Sequence, residues 1–169
     1  MERGGPERGR AGAAALVLVL AAPAILAGCG SKAPRADLSS YMTVQRSAHS
    51  VTLRLLAGKG GSFNFDGYSN GAMTVTVPLG WEVHVDCVNQ GAQRHSCAVV
   101  SGKSHVAFPG ASTTTPAVGL PPGQQQSFSF QASAAGTYRI ACLVPGHEDA
   151  GMWAGLVVGP GASPGVVAK

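Results

Sequence analysis

From Ser50 onward apolar and polar residues alternate with a period of two, and a period of 3.6 is almost never sustained. Such alternation puts successive side chains on opposite faces of a half-buried strand. "SVTLRLLAG" sets Val51, Leu53 and Leu55 on one face, and "AMTVTVP" sets Met73, Val75 and Val77 against Thr74 and Thr76. "GWEVHVDCVN" carries the pattern furthest, with Trp81, Val83, Val85 and Cys87 inward and Glu82, His84 and Asp86 outward. "SFSFQA" and "GTYRIAC" follow, the second with Tyr138, Ile140 and Cys142 on one face, and "AGLVVG" closes the series as a short apolar strand. Turn signals at Gly60-Gly61, Asn70-Gly71, Leu79-Gly80, Pro121-Pro122-Gly123, Ala135-Gly136 and Pro145-Gly146 separate these segments, and the spacing predicts an all-β sandwich or barrel. Residues 101–126, rich in Thr, Pro and Gly, read as a crossover holding at most one short strand.

The flanks break the alternation. Residues 1–28 begin with Arg3, Arg8 and Arg10 and continue into "AGAAALVLVLAAPAILAG", which is nearly long enough to span a membrane. Its Ala and Gly content and its end in the small residues Ala27 and Gly28 favour a signal peptide over a span. "LAGC" at Leu26–Cys29 resembles the bacterial lipobox, which implies that Cys29 is acylated and anchors the chain to the outer face of a bacterial membrane, in the cell envelope or periplasm. The weaker alternative for Cys29 is a free or disulfide-bonded cysteine. Residues 29–46 are polar and small and read as a flexible tether, 47–159 as the folded domain, and 160–169 as a loose tail.

The 169 residues allow one domain with a real core. Without residues 1–28, nine Lys and Arg face six Asp and Glu, with no charge runs, which gives no sign of nucleic-acid binding. Export places Cys87, Cys97 and Cys142 in an oxidising compartment. By parity Cys87 and Cys97 both point inward on strands flanking the same loop, so they form either a disulfide between the sheets or two buried free thiols.

The chemistry concentrates in "ACLVPGHEDAGMW", residues 141–153. A strand ending at Cys142 delivers the thiol to the rim, the loop returns to the last strand just after Met152, and His147 lies between, with Pro145 and Gly146 supplying the turn. A thiolate, an imidazole and a thioether form a soft donor set that favours copper, and a mononuclear blue copper site needs a second histidine. That histidine must come from a different strand end on the same rim, and His95 in "NQGAQRHS" provides it.

Together with "FNFDGYSNG", "PLGWEVHVDCVNQ", "RHS" and "FPGA", this segment makes the chain resemble the cupredoxin family, and most closely its sulfocyanin branch, over about residues 47–159. The resemblance implies a Greek-key β-sandwich or barrel and one type 1 copper ion held by His95, Cys142, His147 and Met152. It also implies that Ser96 braces the cysteine loop from behind the ligands. Cys87 and Cys97 stand where the sulfocyanin pattern usually has bulky apolar residues. His49, His84 and His105 have no thiol or second histidine at ligand spacing and read as surface residues, while Trp81 reads as core.

Such a site points to an exported, lipid-anchored carrier of single electrons, monomeric, with a redox donor and acceptor among respiratory-chain components and His147 as the electron port. An extracytoplasmic copper-binding or delivery protein is the alternative. Catalysis is disfavoured, because Ala141 and Leu143 flank Cys142 where an onward relay would place histidines, and the loop has no second cysteine for a binuclear centre. Phe65, Ile140, Leu143 and Trp153 are the expected apolar surround, which together with an axial methionine favours a relatively high potential.

Overall fold

In the computed structural model, residues 39–61 and 63–169 are described, with the isolated positions 1, 4 and 5, so the rest of the signal segment, Cys29 and the start of the expected tether lie outside the described residues. The chain divides into the units Met1–Ala33 and Pro34–Lys169, and every described strand belongs to the second. These strands are β1 (Met42–Gln45), β2 (Ser50–Ala57), β3 (Met73–Pro78), β4 (Glu82–Asn89), β5 (Ala98–Ser101), β6 (His105–Val106), β7 (Gln125–Gln131), β8 (Gly136–Ala141), β9 (Trp153–Gly159) and β10 (Gly165–Ala168). Among the described residues no helix is long and apolar enough to cross a membrane.

The strands form a four-stranded sheet in the order β1-β2-β4-β7 and a six-stranded sheet in the order β10-β3-β9-β8-β5-β6. Pairs β2·β4 and β3·β9 run parallel and the remaining pairs antiparallel. The inward positions of the alternating segments meet in one core. Val51, Leu53, Leu55, Val83 and Val85 come from the first sheet, and Met73, Val75, Val77, Ile140 and Leu156 from the second. Each is at most 2% exposed, and burial of each such side chain contributes about 1.5–3 kcal/mol before conformational entropy is set against it.

Cys87 at the inner face of β4 and Cys97 just before β5 are joined in a disulfide with a Cα–Cα separation of 6.0 Å. It ties the two sheets together across the loop that carries His95. Cys142 is buried and free.

Both flanks depart from expectation. Residues 42–45, read as part of a tether, pair with β2 as Met42↔Leu53 through Gln45↔Ser50. Residues 165–168, read as part of a loose tail, pair with β3 as Gly165↔Thr76 through Ala168↔Met73. Each is a four-residue edge strand held by ladder hydrogen bonds. Met42 and Val44 alternate over too few residues to stand out, and "GVVA" does not alternate at all, each residue being half-buried. Trp81 also differs: it is half-buried at the edge of the core, before β4 begins, with its ring centroid 5.5 Å from that of His49.

The crossover holds the single short strand β6. Elsewhere it runs along β5 through Val99 N–H to Ala111 O at 2.8 Å and Thr113 N–H to Cys97 O at 2.9 Å, then reaches the site end as Leu120.

Candidate metal centre

β8 ends at Ala141, so Cys142 is the first residue beyond the sheet, and β9 resumes at Trp153. The loop between closes on itself. Cys142 N–H donates to Met152 O at 3.1 Å, Met152 N–H to His147 O at 3.0 Å, and His147 N–H to Val144 O at 3.1 Å. Gly146 takes a φ of 83°, the left-handed conformation that lets the chain reverse before His147. Cys142, His147 and Met152 therefore share one pinned loop, with Met152 fully buried at its base.

His95 arrives from the segment after β4. Its backbone exchanges hydrogen bonds with Leu120, N–H to O at 3.2 Å and O from N–H at 2.7 Å. Asn89, at the end of β4 and 1% exposed, knits that segment: Nδ2 donates to the carbonyls of Gln93 and Leu120, both at 2.8 Å, and Oδ1 accepts from Gly91 N–H at 2.9 Å. The imidazole edge lies against bare backbone, since a Cβ at Gly58 or at Gly91 would come within 2.6 Å of His95 Nε2. With that edge confined, Nδ1 faces the site.

His95 Nδ1 lies 3.2 Å from His147 Nδ1, and Cys142 Sγ lies 3.4 Å from His147 Nδ1. The donor atoms of the three residues all fall within 4.8 Å of one another, and all three residues are buried. Behind the sulfur, Ser96 N–H donates to Sγ at 3.2 Å, its hydroxyl sits 3.6 Å from the same atom, and Ser96 Oγ accepts from Leu143 N–H at 2.9 Å. Burial, and then the neighbouring His147, lowers the pKa of His95 to about 4, and burial also lowers that of His147. Both shifts favour the neutral ring, the form in which imidazole binds a metal. Two neutral imidazoles, a thiol already receiving a backbone hydrogen bond, and a buried thioether in the same loop fit a type 1 copper site.

Outside the donors, the expected apolar residues fall into two groups. Phe65 and Ile140 belong to the main core, which also contains Cys142 and Met152, while Leu143 and Trp153 pack on a small cluster of Ala98, Val100 and Ala141. Arg139 on β8 fastens the residue after His147: Nη1 lies 2.8 Å from Glu148 Oε1, a close ion pair although no N–H points in line at that oxygen. Its Nη2 donates to Gly102 O at 2.8 Å, and its guanidinium sits 5.3 Å from the Trp153 ring centroid. Burial raises the pKa of Glu148, and Arg139 opposes the rise.

Phe63 has no place in the sequence-based reading, yet its ring centroid is 4.7 Å from that of His147 and 6.4 Å from that of His95. It lies in a segment where Gly58, Gly60 and Gly61 all have positive φ, so strand parity says nothing about where it points. The nearby Phe65, picked out instead, is buried in the core. His49, His84 and His105 stay away from the site. His84 Nδ1 meets Ser129 Oγ at 2.8 Å on the outer face of the four-stranded sheet.

Comparison with known proteins agrees with this geometry. Residues 39–165 match the family model described as the Sulfocyanin (SoxE) domain. A curated relative, Sulfocyanin of Sulfolobus acidocaldarius, is 28% identical over 109 residues, covering 56% of this chain and 55% of that protein, so the match spans about half of the relative's length. Among solved structures, Na-dithionite reduced auracyanin from the photosynthetic bacterium Roseiflexus castenholzii matches with a TM-score of 0.52 and 25% identity, covering 64% of this chain and 97% of that one. Auracyanin A, described as a "blue" copper protein from the green thermophilic photosynthetic bacterium Chloroflexus aurantiacus, shares the fold with a TM-score of 0.50 and 24% identity over 64% and 98% of the two chains. The chain, whose matched segment contains the whole His-Cys-His cluster, belongs to the sulfocyanin family of cupredoxins.

Proposed function

We propose that this chain is a type 1 copper protein that carries single electrons between membrane-associated redox partners outside the cytoplasm, with His95, Cys142, His147 and Met152 as its copper ligands. The observation that carries the reading is the convergence of the donor atoms of His95, Cys142 and His147 within 4.8 Å of one another, with all three residues buried. Copper bound there would supply a one-electron couple.

What the chain contributes is a frame that holds still. Strand ends pin Cys142 and Met152, Leu120 and Asn89 pin His95, and Ser96 holds the sulfur in its orientation. Donors that do not move between oxidation states keep reorganisation small, which is what fast electron transfer requires. His147 is 7% exposed beneath Phe63 and is the proposed port by which electrons pass. A delivery protein would need exposed, exchangeable donors, and the burial of all three clustered residues weighs against that role.

Residues 1–29 support export and attachment through acylated Cys29, and the Cys87–Cys97 disulfide supports an oxidising compartment. The donor and acceptor belong to the membrane redox chain in this reading. The test is to load the full chain with copper and record its visible spectrum. The expected result is one copper per chain and an intense blue thiolate-to-copper absorption that vanishes in Cys142→Ser. A colourless loaded protein, or colour that persists in the variant, would overturn the assignment.

A further inference from the structure

Beside Leu79, Val118 is the one exposed large apolar side chain of the unit Pro34–Lys169 among the described residues, at 56% exposure. Leu79 follows β3, whereas Val118 immediately precedes Gly119, which abuts the His95 segment. The turn that carries it, Thr115–Gly119, presses on the ligand segments: a Cβ on Gly119 would lie 2.7 Å from Val144 Cγ2 and 3.1 Å from the His95 backbone. Arg94, exposed and immediately before His95, donates Nη1 to Gly119 O at 2.7 Å and so holds its charge beside Val118.

The charges around this end are unevenly compensated. On one side of the ligand loop Glu148 is paired with Arg139 and Asp149 with Lys103, so positive and negative groups cancel. On the other side neither Arg94 nor Lys59 has a carboxylate within ion-pair distance among the described residues. Lys59 follows Gly58, whose backbone abuts the His95 ring, and it donates to the Tyr41 hydroxyl at 2.9 Å. The nearby acid Asp66 is buried. The His95 side therefore presents an exposed valine beside Arg94, with Lys59 on the segment that abuts the His95 ring, and neither cation is in an ion pair among the described residues.

We propose that this patch docks an acidic protein, namely a redox partner whose exposed cofactor edge is ringed by Asp and Glu. This rests on the electron-carrier reading and names the chemistry of its partner. Opposite charge steers encounter and sets orientation, while the apolar contact brings the two centres together. Two cations with one valine fall short of the four to eight clustered basic residues that typify attraction to an anionic membrane surface, so a protein fits better than a lipid surface.

The experiment uses the copper-loaded full chain and one haem protein in two charge forms, basic cytochrome c and the same cytochrome with its lysines succinylated. One electron passes from the ferrous haem, which is oxidised, to the cupric ion, which is reduced, and no bond is made or broken. At low salt the succinylated form should react faster, its rate falling as salt is added, whereas the rate with the native form should rise. Charge steering of this kind is worth about tenfold or more at low ionic strength. Arg94→Gln and Lys59→Gln together should remove most of the difference without changing the blue absorption, and Arg94→Lys should restore it. Equal salt slopes for the two forms, or no effect of the paired variant, would overturn the proposal, as would Arg94-dependent binding to phosphatidylglycerol vesicles without charge discrimination between the cytochromes. A protein that never turns blue refutes the carrier reading instead, so the two failures are distinguishable.

Discussion

The backbone amide of Ser96 points at the sulfur of Cys142 from 3.2 Å, although the two residues are 46 positions apart in the chain. The same serine accepts a hydrogen bond from Leu143 N–H on its hydroxyl, so one residue both orients the sulfur and fixes the backbone just beyond it. His95 and its neighbour Ser96 thus reach the cysteine loop together, one as donor and the other as brace.

Ser96→Ala keeps the amide and removes the hydroxyl. Leu143 N–H then loses its acceptor and the sulfur loses a neighbouring dipole, which is expected to destabilise the fold by about 1–2 kcal/mol. Because a donor to the sulfur draws charge from it, its loss should lower the reduction potential and shift the thiolate-to-copper band. Voltammetry and the visible spectrum read these effects, and an unchanged potential with unchanged absorption would mean that the hydroxyl does not act on the sulfur.

Gly91→Ala tests the cradle around His95. The backbone there is not in the left-handed region, so the new methyl is the main change, yet it would sit 2.6 Å from Nε2 and 2.8 Å from Cδ2 of the imidazole. The ring must turn or the segment must shift, at a cost of about 1–3 kcal/mol. Copper affinity should drop by about tenfold or more, as it does when the groups that orient a ligand are disturbed. Gly165→Ala, where nothing lies within 4 Å, is the matched control and should bind copper as the unaltered chain does. Competition with a chelator measures both.

Much of this centre is legible in the sequence because Cys142 and Met152 adjoin strand ends, where alternation fixes chain direction, and Pro145 and Gly146 mark the reversal between them. Cys142, His147 and Met152 share one short loop, whose two ends are pinned together by the Cys142 N–H to Met152 O hydrogen bond. What escapes is set by contacts that have no local period. β1 and β10 are edge strands of four residues whose register comes from the neighbouring strand. Phe63 reaches His147 from a glycine-rich segment, and Asn89 holds His95 through carbonyls four and 31 residues away.

The disulfide should matter for stability and not for colour. Cys87 and Cys97 are both fully buried and separated by 10 positions. Closing a loop of that size restricts the unfolded chain by about 2–3 kcal/mol in the chain-entropy account. Replacing both with alanine should lower the denaturation midpoint accordingly while leaving the blue absorption in place, since neither sulfur is among the clustered donors. After unfolding without reductant, Cys87 and Cys97 should resist alkylation. Their labelling under those conditions would show them to be free thiols.

Asp66 is expected to make the fold more stable in mild acid than its composition implies. The residue is 4% exposed, with Oδ1 accepting from Leu56 N–H at 3.0 Å and Oδ2 buried without a partner. Burial raises its pKa from 3.8 to about 6, against the lowering effects of the Leu56 amide, Lys59 and Arg54. A carboxyl whose folded pKa exceeds its unfolded one binds its proton more tightly when folded, so its stabilisation is present below about pH 4 and is lost as pH rises through about 6. The size of that loss is on the order of 3 kcal/mol. Asp66→Asn keeps the acceptor for Leu56, tolerates the left-handed φ of 58° and does not ionise. His95 and His147 titrate with the opposite sign, stability falling as pH drops from 6.5, but they do so in both proteins and cancel in the difference. Urea unfolding of the copper-free chains at pH 4, 5.5 and 7 should therefore show the asparagine variant gaining on the parent as pH rises, and a constant difference would mean that burial does not raise the Asp66 pKa above that of the unfolded chain.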